Sequence, residues 1–401
     1  MTQIPLPPRL LVISANYLRP DQASGDLRLF TLLVLLARRF SVCFCALDDD
    51  GRVLPSDAYG ALLEQKSIKL GRGDLPQVLK AHSPDLVWCE FFHQARPDYL
   101  ALIRRLRPNA RVLVDSVDVH FNRMASQARL SGLAEDHAAA AEMKVRELAA
   151  YAQAELVVAV SDEDARLLCD ALSRMQVVVV PNVHVIHPFP VPSGRKFGEL
   201  VFVGGFKHAP NVDAMMYFCG EVLPLITAAQ PSASLKIIGS NPPTAIQSLA
   251  GEHVEVVGYV PETATYLESA YISVAPLRYG GGMKGKVGEA MSFGLPVVTT
   301  SFGAEGFGLE VGLDVLVGDT PVQFAAHVIA LLENPELHAQ LARNGHRFIE
   351  QHYSVSAVAP MLDTCMDQLM NLPPRRLPMA RRIGAMLQDL FHRHITWRLK
   401  R

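Results

Sequence analysis

Short, uniformly apolar runs alternate with helical patterns through both halves of the chain, and this repeated grammar constrains the fold more than any other feature. In the first half the runs are RLLVISA (9–15), SVCFCAL (41–47), DLVWC (85–89), RVLVD (111–115), ELVVAV (155–160) and QVVVV (176–180). In the second they are LVFVG (200–204), SLKIIG (234–239), VEVVG (254–258), ISVAP (272–276), PVVTT (296–300) and DVLVG (314–318). Strands apolar at consecutive positions, rather than alternating ones, are buried on both faces, as in parallel sheets covered by helices. Helical stretches such as 133–154, 211–229 and 321–334 lie between them. The expected class is α/β, with two Rossmann-like, doubly wound parallel-sheet domains. A length of 401 residues agrees, because single cores stop growing well below that size.

The segment PNVHVIHPFPVPSGR (181–195) carries four prolines and little periodicity, so it reads as the connection between domains. The expected division is residues 1–182, a linker over 183–198, a second domain over 199–370 and a tail over 371–401. Two such domains facing each other leave a cleft lined by the carboxyl ends of both sheets, where ligands of open α/β sheets bind. A formal net charge of -2 argues against nucleic acid as a partner of the whole protein. Six cysteines are too few for a disulfide scaffold, and Cys43 and Cys45, two apart on one strand face, read as core packing. The start, MTQIPLPPR, has no apolar signal core. The longest apolar run, LFTLLVLLA (29–37), is about half the length of a membrane span. A cytoplasmic setting is expected.

The richest stretch is RYGGGMKGKVGEAMSFGLPVVTT, Arg278 to Thr300. Glycines between a strand and a helix let backbone N–H groups approach phosphate oxygens, and the helix N-terminus adds partial positive charge. Lys284 and Lys286 would oppose the helix dipole by a few tenths of a kcal/mol each, which an anion in front of them would explain. A solvated basic turn is the plainer alternative. At helical spacing Met283, Val287, Ala290, Met291 and Gly294 share one face, while Gly282, Gly285, Lys286, Glu289 and Ser292 share the other. A carboxylate at Glu289 can accept two hydrogen bonds from a ribose diol. Gly294 and Pro296 end the helix.

GGGMKGKVGEAMSFGLPVVTTSFGAEG, together with LVFVGGFKHAPNVDAMMYF and HRFIEQHYS, resembles the retaining GT-B glycosyltransferases of family 4, the glycosyl transferases group 1. The resemblance is strong from about Glu199 to Met370 and fainter before. It implies a GT-B enzyme that moves a sugar from a nucleotide-diphosphate sugar to an acceptor without a metal or other cofactor. By that analogy Glu289 is the second glutamate of the family's E-x7-E motif, on the ribose. Gly280, Gly281, Gly282, Met283 and Lys284 surround the diphosphate with Lys286, and Gly258 and Tyr259 line the base. The first motif glutamate falls at Gly281 and is absent. The usual arginine and lysine after the first strand of this half are also missing; Lys207 and His208 stand there instead.

In the first half, VLVDSVDVHFNR resembles the family segment whose histidine reaches the donor sugar, which places that role on His120. Read without the family, His120 is a loop histidine at the start of the next helix. The long connection NYLRPDQASGDLR ends at Gly25, where backbone can approach the donor, with Arg19 and Arg28 as surface charges or anion contacts. Glu90 and His93 fall on the acceptor side. LDDDG (47–51) contains a D-x-D pattern and reads as a turn rather than a metal site. The tail holds eight Arg and Lys residues over 374–401 against Asp389 alone, with an apolar stripe. It suits an interfacial helix drawn to anionic lipid, serving a lipid-linked acceptor, or a helix closing across the two domains. Two rivals to the transferase remain at this level: an inactive GT-B scaffold that binds nucleotide, and a nucleotide-sugar epimerase.

Overall fold

The computed structural model describes residues 6–189 and 194–375. The basic tail beyond 375, with both of its readings, lies outside the described residues. The first sheet contains β1 (Arg9–Ser14), β2 (Ser41–Ala46), β3 (Lys69–Leu70), β4 (Leu86–Glu90), β5 (Arg111–Asp115), β6 (Leu156–Ala159) and β7 (Val177–Val179) in the order β3-β2-β1-β4-β5-β6-β7. The second contains β8 (Glu199–Val203), β9 (Ser234–Ile238), β10 (Val254–Gly258), β11 (Ile272–Ala275), β12 (Val297–Thr299) and β13 (Leu316–Val317) in the order β10-β9-β8-β11-β12-β13. Every pairing between these strands is parallel. The strand order reverses between β1 and β4 and again between β8 and β11, so each domain has its ligand crevice there.

The consecutive apolar residues behave as their pattern demands: Leu10 and Val12 face one helical layer, Leu11 and Ile13 the other, in two separate cores. The second domain repeats the arrangement. The helix spanning Ala209–Ala229 is long and apolar enough, by length and composition, to cross a membrane. Its Ala214, Met215, Phe218, Val222 and Ile226 are core residues of the second domain. Many helices begin on a capping side chain: Asp57, Asp74, Ser161, Thr320, Asn334 and Ser354 each accept first-turn N–H groups. Helices Ser24–Leu36 and Gly285–Ser292 begin without one.

Sequence alone assigned residues up to 370 to the second domain, but the Val355–Asn371 helix crosses back. Its Val358, Leu362, Cys365, Met366 and Leu369 belong to the first-domain core. Arg39 pairs with Asp363 and Asp367 on its outer face. The two crossings run side by side, because the His184 N–H donates to the Tyr353 carbonyl at 2.8 Å and His184 bridges Ser354.

Arg28 is neither a surface charge nor an anion contact. It is 1% exposed and donates from Nη1 to Asp115 Oδ2 at 2.7 Å, from Nη2 to the Val180 carbonyl at 2.7 Å and from Nε to the Pro181 carbonyl at 3.3 Å. Replacing Asp115 by alanine strands a buried guanidinium, so urea unfolding should show a loss of about 3–5 kcal/mol; a loss below 1 kcal/mol would contradict this role.

Glu90 ends β4 directly beside Asp115 and is buried. Burial first, then Asp26 and Asp115, push its carboxyl up to about 8, although Ser14 and Arg28 pull it down. The folded chain therefore holds a proton that the unfolded chain releases near 4.5, and stability is full below that window and falls as pH rises towards 8. Glu90→Gln should remove this decline, read as urea midpoints of variant and native chain that diverge between about pH 5 and about pH 8.

Candidate donor site between the two domains

The crevices of the two domains face each other. After β11 the chain runs through Gly280, Gly281 and Gly282 into the Gly285–Ser292 helix. Gly282 takes φ +59°, a left-handed conformation that favours glycine. Gly281 is required by close approach: a Cβ there would stand 2.3 Å from Asp118 Oδ1 and 3.0 Å from Arg123 Cβ. The start of the Gly285–Ser292 helix meets the start of Ser24–Leu36, with Ser24 Cβ 2.6 Å from the point where a Gly285 Cβ would stand. Two uncapped helix N-termini, one per domain, therefore converge, and their partial positive charges add. Gly25, in the first turn of its helix, lies against Val117 of the same domain.

Lys286 points into this region. Its Nζ donates to Asn211 Oδ1 and lies 4.8 Å from the centre of the Phe202 ring. Burial, helped by Lys284 and opposed by Glu289, pushes its ammonium down to about 7. Glu289 Oε1 accepts from Thr263 Oγ1 at 2.6 Å. Burial raises the Glu289 carboxyl, while Thr263 and Lys286 counter the rise. Lys284, by contrast, is satisfied internally: Nζ donates to the Gly282 carbonyl at 2.6 Å and lies 3.4 Å from Glu305 Oε2. It shapes the glycine loop. Met283 is buried, with its carbonyl 3.5 Å from Asn182 Nδ2. The face carrying Lys286 and Glu289 is not a fully solvated one, since these two are half-buried and Gly285 and Ser292 beside them are buried.

The remaining candidates are distributed around this centre. His120 opens the His120–Ser131 helix, with its ring against Phe91, Phe92 and His93 and Nδ1 3.0 Å from the Asp118 carbonyl. Glu147, which the sequence did not single out, accepts from the N–H groups of His120 and Phe121 at 3.1 and 2.9 Å and from Tyr151 Oη at 2.6 Å. It anchors the start of that helix. Lys207 is exposed on the loop after β8. Gly258 closes β10 at φ +80°, and Tyr259 reaches across the cleft to donate from Oη to Asp21 Oδ2 at 2.7 Å. Asp21 also accepts from Tyr59 Oη at 3.1 Å, so the long loop after β1 is strapped to the second domain. Glu90 lies buried beneath the site and does not line it. The D-x-D segment is a turn, with Asp48 Oδ1 accepting from the N–H groups of Asp50 and Arg52. Among the described residues no three His, Cys, Asp or Glu side chains gather as a metal site.

Two doubly wound domains closing over such a cleft define the GT-B fold. Solved structures share it across 90% of this chain and 99% of theirs: Anabaena HepE in complex with UDP and glucose (TM-score 0.65, 14% identity) and sucrose-phosphate synthase from Thermosynechococcus elongatus (TM-score 0.65, 15% identity). TarM from S. aureus, in complex with UDP among other ligands, matches at TM-score 0.57 and 14% identity over 75% of this chain and 59% of its own. Residues 198–334, within the second domain, match the family described as glycosyl transferases group 1. A curated relative, a 44.6 kDa protein from the cps region of Klebsiella pneumoniae, is 26% identical over 202 residues, which is 47% of this chain. The chain spans about half the length of that relative, 51%.

Lys286 is held in the folded chain at a value below the unfolded one, so its burial cost is full below pH 7 and is relieved as pH rises through the window from about 7 towards 10.5. Lys286→Met should therefore raise the urea midpoint most below pH 7, with the gain shrinking towards pH 10. A variant less stable than the native chain at pH 6 would show that the lysine is structural.

Proposed function

We propose that this protein transfers a sugar from a nucleotide-diphosphate sugar to an acceptor, retaining the anomeric configuration and using no metal. The observation that carries the reading is the meeting of two uncapped helix N-termini, one from each domain, beside Lys286 and a glycine loop. That arrangement suits a diphosphate, whose charge is met by backbone dipoles and one ammonium in place of a cation. Glu289 holds the ribose and Gly258 and Tyr259 border the base. His120 stands at the transferred sugar, and Lys207 at the mouth adds to the positive field. The group 1 match over 198–334 and the fold shared with HepE, solved with UDP-glucose, support the donor class. A retaining transfer needs no side-chain base aimed at the acceptor; the site orients the donor and stabilises the departing diphosphate. The acceptor is a glycan, lipid-linked or small molecule received by the first domain, with the protein in the cytoplasm and the basic tail serving either as a peripheral contact with the membrane or as a helix closing across the two domains.

Gly281, where the motif glutamate would stand, keeps one rival in view: a scaffold that binds nucleotide without turnover. Thermal-shift screening against UDP, GDP, ADP and their sugars separates the readings. A ligand at a hundred times its Kd should stabilise the fold by about 2.7 kcal/mol. Glu289→Gln and Lys286→Met should each weaken the shift by tenfold or more in Kd, on the order of 1.4 kcal/mol. The productive donor should then be consumed only with an acceptor, at a rate unchanged by EDTA, giving a product with the donor's anomeric configuration by NMR. Tight nucleotide binding with no turnover on any donor would leave the scaffold. Donor consumption without acceptor would indicate an epimerase, and inversion would refute retention.

A further inference from the structure

Five buried side-chain nitrogen or oxygen atoms among the described residues lack a hydrogen-bond partner. Three of them lie at the ends of β5 and β6: Ser116 Oγ and Asp118 Oδ1 on the turn after β5, and Asp164 Oδ2 in the Asp162–Ala171 helix that follows β6. Native proteins rarely leave such atoms unsatisfied, and a concentration of them at a cleft marks groups waiting for a ligand's donors.

Asp118 is the best placed. Arg123 Nε donates to its Oδ2 at 2.6 Å and fixes the carboxylate. Its Oδ1 then lies over the Cα of Gly281, 2.3 Å from where a side chain would begin. The turn that aims it is strained: Val117, a β-branched residue, takes φ +53°, and the Asp118 N–H donates back to the Ser116 carbonyl. The Val117 carbonyl lies 3.2 Å from the corresponding position of Gly282. A strained turn, an orphaned carboxylate oxygen and a side-chain-free partner loop thus converge on one atom. A simple Arg123 ion pair needs none of the three. Asp164 stands near enough for burial and then Asp118 to push its carboxyl up to about 7, so the two acids are neighbours on the first-domain side of the cleft. Carboxylate oxygens accept hydrogen bonds only, so the matching ligand group is a hydrogen-bond donor, which on a sugar ring is a hydroxyl.

We propose that Asp118 Oδ1 accepts a hydrogen bond from a hydroxyl of the donor's transferred sugar, a carboxylate supplied by the first domain across from Gly281 of the second. The inference rests on the donor reading above. It explains why Gly281 carries no side chain, and it makes sugar orientation depend on closure, because the carboxylate and the glycine loop belong to different domains.

The test pairs Asp118→Asn with deoxy donors. Native chain and variant are titrated with UDP, GDP and ADP, with UDP-glucose, GDP-mannose and ADP-glucose, and with the 2-, 3-, 4- and 6-deoxy forms of the sugar that binds best. The variant should bind the nucleoside diphosphate within about twofold of the native chain, while its donor kcat/KM falls on the order of 100-fold. One deoxy donor should bind the native chain about tenfold more weakly than its parent and bind the variant no more weakly, the coupling of a direct contact. Equal deoxy penalties in both proteins, or an equal loss of the bare nucleotide, would overturn the proposal and leave the nucleotide site standing. Failure of the native chain to bind any nucleotide or nucleotide sugar would instead overturn the donor reading itself. Retained circular dichroism and an unchanged nucleotide affinity show that the variant is folded.

Discussion

The buried guanidinium of Arg28 ties together the parts of the first domain that meet the second. One planar group binds Asp115 at the end of β5 and the carbonyls of Val180 and Pro181, where the chain leaves the domain. Its own helix carries Ser24 and Gly25 at the junction with the Gly285–Ser292 helix. Asp115 in turn leads into the strained turn at Val117 and Asp118. The anchored helix, the presented turn and the exit of the chain from the domain therefore share one buried contact. A lysine could not replace it, since only a fork of several donors reaches three acceptors in fixed directions. Protonated Glu90 beside this cluster fits the same logic: a second buried anion would be unpaired, so the carboxyl keeps its proton.

Much of the architecture was legible in the sequence because parallel strands buried on both faces leave continuous apolar runs. β3 escaped because it is only Lys69 and Leu70, too short to carry a pattern. The return of the Val355–Asn371 helix to the first domain was also invisible: its apolar spacing states that it packs, not against which core. Arg28 looked like a surface charge because type and neighbours say nothing about burial, and only the fold brings Asp115, 87 residues away, to meet it.

The donor site divides in the same way. The glycines, Lys286 and Glu289 stand in one contiguous stretch whose chemistry could be read directly. Their partners Asn211 and Thr263 lie on other elements and carry no signal of their own. Lys284 was misjudged because a cation at a helix start suggested an anion in front of it, whereas its ammonium folds back onto the Gly282 carbonyl and Glu305. The departure at Gly281 read as a loss from within the second domain. Across the cleft it is the space that lets Asp118 approach, a relation between two domains that no local window contains.

These contacts also say where positive charge resides at the junction. Lys286 is held near neutrality by burial, so the folded chain carries less positive charge at the junction than a count of lysines suggests. An arriving diphosphate would restore the full charge by drawing a proton onto that ammonium, since opposite charge favours the ionised form. Backbone dipoles from both helices cannot be titrated away, and they supply the constant part of the field. Because one dipole belongs to each domain, the field is complete only when the domains meet. The strap from Tyr259 to Asp21 spans that same gap. On the proposed reading, closure would assemble the electrostatic site and the Asp118 contact in one step, coupling orientation of the donor to stabilisation of its departing diphosphate.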